Sequence, residues 1–310
     1  MKKRAEQVVA VSGRSRKPMV PWFFLAPSLI GVVVFYGLPF LDVVKRSFQD
    51  AMGTRYVGLD NYKAVLDNTA FRLAAANTLR FLLMCLPLLM LLSFGTALLL
   101  TAGAARRARR ADSKGQGPYG ILRTTLVLPM AIPAVSMVLV WKIFLCPEGV
   151  LNQWLSGVTR QEWQVDWAFS RWAFPILVIT YLWKHMGYDM VLWLAGLQAV
   201  PGELYEAARI DGAGIWARLW YITLPELRGT FVLAGMLSVV NSFRVYREAY
   251  LLAGSYPDSS IYLLPHLFAH WFLSLDIQKM TAAAVLLTGA LGVPAWGVWL
   301  LKRRKGGRQL

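Results

Sequence analysis

Six apolar runs, each about the length an α-helix needs to cross a ~30 Å hydrocarbon core, constrain this chain more than any other feature. In such a medium every backbone polar group must be satisfied within its own segment, which leaves helices as the solution for runs of this length. The chain is expected to be an all-α polytopic membrane protein with spans near residues 22–43, 77–100, 121–145, 172–195, 230–252 and 280–301. Composition agrees: 56% of the residues are hydrophobic and the mean hydropathy is +0.45, values an ordinary soluble domain of 310 residues does not show. The first run is read as a retained helix. Its basic leader and apolar core are too long for a cleaved signal, and no small-x-small site follows.

The net charge of +16 would suggest a nucleic-acid partner in a soluble protein, but here the bases form short clusters beside the spans, so no nucleic acid is expected. Lys2, Lys3, Arg4, Arg14, Arg16 and Lys17 precede the first run. Arg106, Arg107, Arg109, Arg110 and Lys114 follow the second, and Lys302, Arg303, Arg304, Lys305 and Arg308 follow the sixth. The positive-inside rule puts all three clusters, and with them both termini, in the cytoplasm. The loop after the first run disagrees, since it carries Lys45, Arg46, Arg55, Lys63 and Arg72, and three clusters outweigh it. The expected organisation is a basic tail over residues 1–20, a membrane domain over 21–301 and a basic tail over 302–310. The segments 44–76 and 146–171 are each long enough for a short helix on the membrane surface. Cys85 and Cys146 fall at span positions that suggest no disulfide, so cysteine usage does not reveal a compartment.

A polar island, Glu203 to Pro225, interrupts the pattern between the fourth and fifth runs, within a loop of about 197–229. It reads as two short helices joined at Gly212 and Gly214, with Glu203 and Glu206 at the positive end of the first helix dipole and Pro225 near the end of the second. Ala207 and Ala208 give the first helix a small, smooth face, and Ile215, Trp216, Leu219, Trp220 and Ile222 make the second too apolar for a solvated linker. Such a hairpin either lies on the bilayer surface or docks on a partner. The spacing Glu206-Ala207-Ala208, Gly212, Ile222, Leu224-Pro225 resembles the EAA signature of permease subunits in importers driven by ATP-binding cassettes, of the maltose-transporter type. Gly58-Leu59-Asp60-Asn61-Tyr62, Asn77-Thr78, the prolines Pro129 and Pro133, and Gly149 with Leu151 and Asn152 resemble further pieces of that family.

The resemblance implies a carbohydrate importer in a bacterial or archaeal cell membrane. This chain would form half of the pathway beside a second permease subunit. Two nucleotide-binding ATPase subunits would dock on Glu206, Ala207, Ala208, Gly212, Ile222, Leu224 and Pro225 of a cytoplasmic coupling loop, and an extracytoplasmic solute-binding protein would deliver the sugar. No G-x-x-x-x-G-K-[ST] loop occurs here, so ATP and Mg would be used by the partner and no cofactor is expected on this chain.

Ionisable groups at membrane depth normally face a protein interior or a wet cavity. Lys184, His185 and Asp189 in the fourth run, and Asn241, Arg244, Arg247 and Glu248 in the fifth, lie among Tyr181, Trp183, Tyr188, Phe243, Tyr246 and Tyr250. Hydroxyl-matching polar groups beside aromatic faces suit a sugar pathway, for which Asn241, Arg244, Glu248, Phe243, Tyr246, Lys184 and Tyr188 are the candidates. The structural alternative is internal pairing, His185 with Asp189 and Arg244 with Glu248. A rival from another class is an ion-gradient-driven secondary transporter or channel using Lys184, His185, Asp189 and Glu248 as a proton relay. No metal site is expected, and His266 and His270 read as interfacial side chains near the outer surface.

Overall fold

The computed structural model describes residues 20–109 and 118–306. The basic clusters that orient the chain, Lys2 to Lys17, Arg106 to Lys114 and Lys302 to Arg308, lie outside the described side chains, as does the side chain of Arg244. Among the described residues there is no strand, only an isolated bridge between Gln49 and Tyr56. In chain order the helices are α1 (Val20–Val32), α2 (Leu38–Ser47), α3 (Asp60–Asp67), α4 (Thr69–Arg109), α5 (Pro118–Ala131), α6 (Ala134–Leu145), α7 (Val150–Thr159) and α8 (Ala173–Ala199). They continue with α9 (Gly202–Ile210), α10 (Ile215–Arg218), α11 (Leu224–Glu226), α12 (Arg228–Ser242), α13 (Tyr246–Ala253), α14 (Leu264–Leu273) and α15 (Ile277–Gly306).

Every apolar run falls on helix, and α3 and α7 occupy the two long connections. By length and apolarity alone, residues 24–47, 69–103 and 134–159 are long enough to cross a membrane, and 215–226 with 228–253 form a pair bent by 68°. Helix α8, at 27 residues, is long enough as well but carries Lys184, His185 and Asp189 in its middle. Two runs expected as single helices are broken. The third stops at Ala131, because Pro133 adopts an extended ψ of 142° and only then restarts the helix, its carbonyl accepting from Met137 N–H at 3.0 Å. Pro129 stays inside α5, so the break belongs to Pro133 alone. The fifth run is divided by a 3-10 turn, Phe243–Val245, between α12 and α13.

The chain groups into two compact units. In the unit formed by residues 20–65 and 275–306, α1 runs into α2 through a π turn, Val33–Gly37, and α15 packs along α2. Asn61 is the peg of the loop that follows, its amide donating to the carbonyls of Ser47 at 2.9 Å and Gln49 at 2.7 Å, while Tyr62 OH meets Ser47 Oγ at 2.7 Å.

In the unit formed by residues 66–274, α8 is the central post, packed along α4, α5 and α12. One half of it, with Phe174, Leu177 and Tyr181, meets Phe81, Cys85 and Leu89 of α4 and Val245 and Ala249 near α13. The other half, with Met190, Trp193 and Leu197, meets Ala97 and Leu100 of α4, Ala234 of α12 and Leu227. Glycines let α8 come this close. A Cβ on Gly187 would sit 2.1 Å from the Leu126 carbonyl oxygen of α5, and one on Gly196 would sit 2.5 Å from Thr230 Oγ1 of α12. Buried asparagines fasten the loops: Asn77 donates to Ser259 O at 2.7 Å and Tyr262 O at 3.0 Å, and Asn152 donates to Val165 O at 2.8 Å while accepting from Trp167 Nε1 at 2.9 Å.

Candidate functional site

The break after Ser242 lets α13 turn its polar residues toward α8. There Lys184 Nζ and Glu248 Oε1 form an ion pair at 2.6 Å, with side chains only 13% and 8% exposed. Breaking a pair this buried by removing one partner leaves an uncompensated charge, so the pair pins α8 to α13. Glu248 Oε2 is buried without a hydrogen-bond partner among the described residues. Beside the pair lies a cavity of about 660 Å³, walled by Lys184, His185 and Tyr188 of α8, Asn241 of α12, Phe243 of the turn, and Tyr246, Arg247 and Glu248 of α13. Met130, Leu237 and Val240 supply its apolar side.

The chain thus brings six of the seven sequence-designated pathway residues, Lys184, Tyr188, Asn241, Phe243, Tyr246 and Glu248, to one space. The seventh, Arg244, has its side chain outside the described residues. Arg247, not among the pathway candidates, joins the wall beyond the 3-10 turn that interrupts the helix after Ser242. Asp189 is held from another helix, accepting from Ser238 Oγ of α12 at 2.6 Å, and the His185 ring packs on Tyr181 at 4.3 Å between centroids. The partner of Glu248 Oε1 is likewise across helices and not on its own turn. Pairs made 49 and 64 residues apart leave no trace in helical spacing.

His266 corrects the sequence reading. It is only 1% exposed, on α14, and its Nδ1 accepts from Leu263 N–H at 3.2 Å. The chain enters α14 through Leu263, with Pro265 in the first turn, and His266 is buried against the rings of Tyr246 of α13 and Tyr262. Among the described residues no group of three His, Cys, Asp or Glu side chains could hold a metal ion.

The second element is the polar island. Helix α9 ends in a Schellman motif: Gly212 has φ +73°, its N–H donates to Arg209 O at 3.1 Å, and Ala213 N–H donates to Ala208 O at 2.8 Å. That geometry explains the spacing from Ala208 to Gly212, since the left-handed residue must fall at a set distance from the carbonyl that is capped. Nothing lies within 4 Å of a Cβ placed on Gly212, so the glycine serves its own backbone here. The chain then reverses through α10, a π turn at Leu219–Thr223, and α11, and the two arms are tied by Tyr205 OH and Thr223 Oγ1 at 3.0 Å. Glu206 and Ala207 are exposed, while Ala208, Ile222, Leu224 and Pro225 are half-buried. Ile210, Ile215, Trp216, Trp220 and Tyr221 are 63–88% exposed, an apolar face the chain itself leaves uncovered. The hairpin is anchored at its end by Leu227, 2% exposed and packed near Gly196 of α8.

The family model for the inner membrane component of binding-protein-dependent transport systems matches residues 113–298, a stretch that contains the whole hairpin and the whole cavity wall. The chain belongs to that family. The permease is 27% identical over 277 residues to the arabinooligosaccharide transport system permease protein AraP of Halalkalibacterium halodurans, covering 87% of this chain and 83% of that protein. It is 29% identical over 324 residues to the diacetylchitobiose uptake system permease protein NgcF of Streptomyces coelicolor, covering 98% of this chain and 90% of that one. Its fold is shared with a chain of a bacterial ABC transporter that imports the acidic polysaccharide alginate, at a TM-score of 0.72 and 21% identity, covering 94% of this chain and 96% of the other. The permease is therefore a multi-pass membrane subunit of an ABC importer, which sets aside transport driven by an ion gradient. The two candidate elements share one post: Gly196, by the hairpin, and Lys184, by the cavity, are both on α8, about 18 Å apart at the usual helical rise.

Proposed function

We propose that the cavity between α8, α12 and α13 is this subunit's half of a carbohydrate pathway. The observation that carries the reading is the convergence of Asn241, Glu248 and Lys184 with the aromatic residues Tyr188, Phe243 and Tyr246. A sugar presents hydroxyls that both donate and accept, and C–H faces that stack on aromatic rings. Glu248 Oε2, without a partner among the described residues, accepts from a cargo hydroxyl, Asn241 does both, and the Lys184 pair holds the carboxylate in place. Relatives that carry arabinooligosaccharides and diacetylchitobiose support a saccharide as the cargo.

In this reading a second permease subunit completes the cavity, and a solute-binding protein delivers cargo at the outer face. The exposed hairpin residues dock in the cytoplasm on two ATPase subunits, which use ATP and Mg. Closure of those subunits would push on Leu227 and α8, the rigid route from hairpin to cavity. Both termini are cytoplasmic.

Two experiments check these assignments. In the assembled importer, Asn241→Ala is expected to lower uptake by about 3- to 10-fold, the scale of one lost hydrogen bond, and a cysteine at Asn241 is protected from labelling by cargo. Unchanged uptake together with an unprotected thiol would reject the cavity as the pathway. For the hairpin, Ile210→Cys is the probe, since Ile210 is 88% exposed. It should label only from the cytoplasmic side and lose labelling when the ATPase subunits are bound. Labelling from outside would reverse the orientation, and equal labelling with and without the ATPase would remove the docking role.

A further inference from the structure

We propose that a second pocket, between α13 and α14, is a subsite for an additional sugar ring, so that the cargo is an oligosaccharide; this rests on the carbohydrate reading above. The pocket has a volume of about 170 Å³ and adjoins the main cavity through Tyr246, which lines both. Its wall combines aromatic faces, Tyr246, Tyr250 and Phe272, with the hydroxyl of Ser255 and the imidazoles of His266 and His270. The rings of Tyr246 and Tyr250 are 5.5 Å apart, and His266 stands edge-on to Tyr246 at 4.8 Å.

The imidazoles define what fits. His266 Nδ1 accepts the N–H of Leu263, so in the neutral ring the proton sits on Nε2. Burial, aided by the nearby His270, pushes the pKa of His266 down to about 4, which keeps that ring neutral. Its Nε2 is buried with no hydrogen-bond partner among the described residues, and so is Nε2 of His270, whose Nδ1 faces Tyr262 OH at 3.1 Å. A metal ion needs a lone pair on the free nitrogen, and His266 Nε2 carries a proton there instead. A buried donor without an acceptor, His266 Nε2–H, with His270 Nε2 also unpartnered among the described residues, beside aromatic faces and away from any carboxylate in the pocket wall, matches the neutral hydroxyl and ring oxygens of a saccharide. Continuity through Tyr246 places this ring next to one bound in the main cavity.

The test is uptake by the complete importer in cells, using glucose, maltose, maltotriose, cellobiose, cellotriose, arabinobiose, arabinotriose and diacetylchitobiose as probes. Two variants are compared with the parent: Ser255→Trp, which fills the pocket, and His270→Phe, which keeps a ring and removes the polar Nε2. Western blotting of membranes controls for their abundance. The parent is expected to take up the longer members of one series. In both variants the ratio of longer- to shorter-chain uptake should fall about tenfold, the scale of one lost polar contact. An unaltered ratio in both variants, a uniform loss across chain lengths, or uptake of glucose alone by the parent would overturn the subsite. A parent that takes up none of the saccharides but does take up cargo of another class would overturn the carbohydrate reading itself.

Discussion

Gly187→Val is expected to reduce the monodisperse permease recovered from membranes by at least about tenfold, through packing alone. The new side chain would begin 2.1 Å from the Leu126 carbonyl oxygen, 2.8 Å from its carbon and 2.9 Å from Val127 Cα. These are backbone atoms of α5 and cannot rotate aside, so α5 and α8 must separate along their whole contact. Overpacking of this kind costs about 1–3 kcal/mol where side chains can still adjust, and more where they cannot. Size-exclusion chromatography after mild solubilisation measures the loss. Gly95→Val on α4 is the comparison, because nothing lies within 4 Å of a Cβ there. Equal recovery of the two variants would show that the approach of α5 to α8 is not needed for assembly.

Lys184→Met is expected to destabilise the subunit by about 3–5 kcal/mol, because Glu248 is then left as an uncompensated buried charge. The double change Lys184→Met with Glu248→Leu should recover most of the folded protein, since two apolar side chains replace a pair whose desolvation offset much of its attraction. Uptake should stay low in that double variant, for the acceptor offered to the cargo has gone. Folding is read by thermal stability in detergent and transport by uptake in cells, so the two consequences separate. If the double variant were as unstable as the sum of the single changes, the pair would not be the contact that joins α8 to α13. Recovery of both folding and uptake would make Glu248 a structural residue only.

The hairpin and the cavity differ in how far they could be read in advance. Gly212, with Glu206, Ala207 and Ala208 at their spacing, predicts two helices and a turn, and the Schellman motif supplies the reason for that spacing. Asn61, Asn77 and Asn152 stand out in sequence as parts of a resemblance. Their role as buried donors to loop carbonyls emerges only when the loops are in place. The continuous helix expected over residues 230–252 is broken at Phe243–Val245, where no proline or glycine announces a break. The sequence places His266 at an interface, whereas the fold buries it, its Nδ1 accepting from Leu263 N–H.

Local rules determined what could be read from the chain alone: the apolar runs, the turn at Gly212, and the ionisable residues inside those runs that must face something other than lipid. Each depends on a few neighbouring residues and on the solvent around them. The tertiary structure decided which groups meet: Lys184 with Glu248, Asp189 with Ser238, and Tyr246 as the wall shared by two pockets. Those choices depend on how each helix is rotated and how closely it approaches the next. That is set by steric detail such as the missing Cβ of Gly187, and helical periodicity does not encode it.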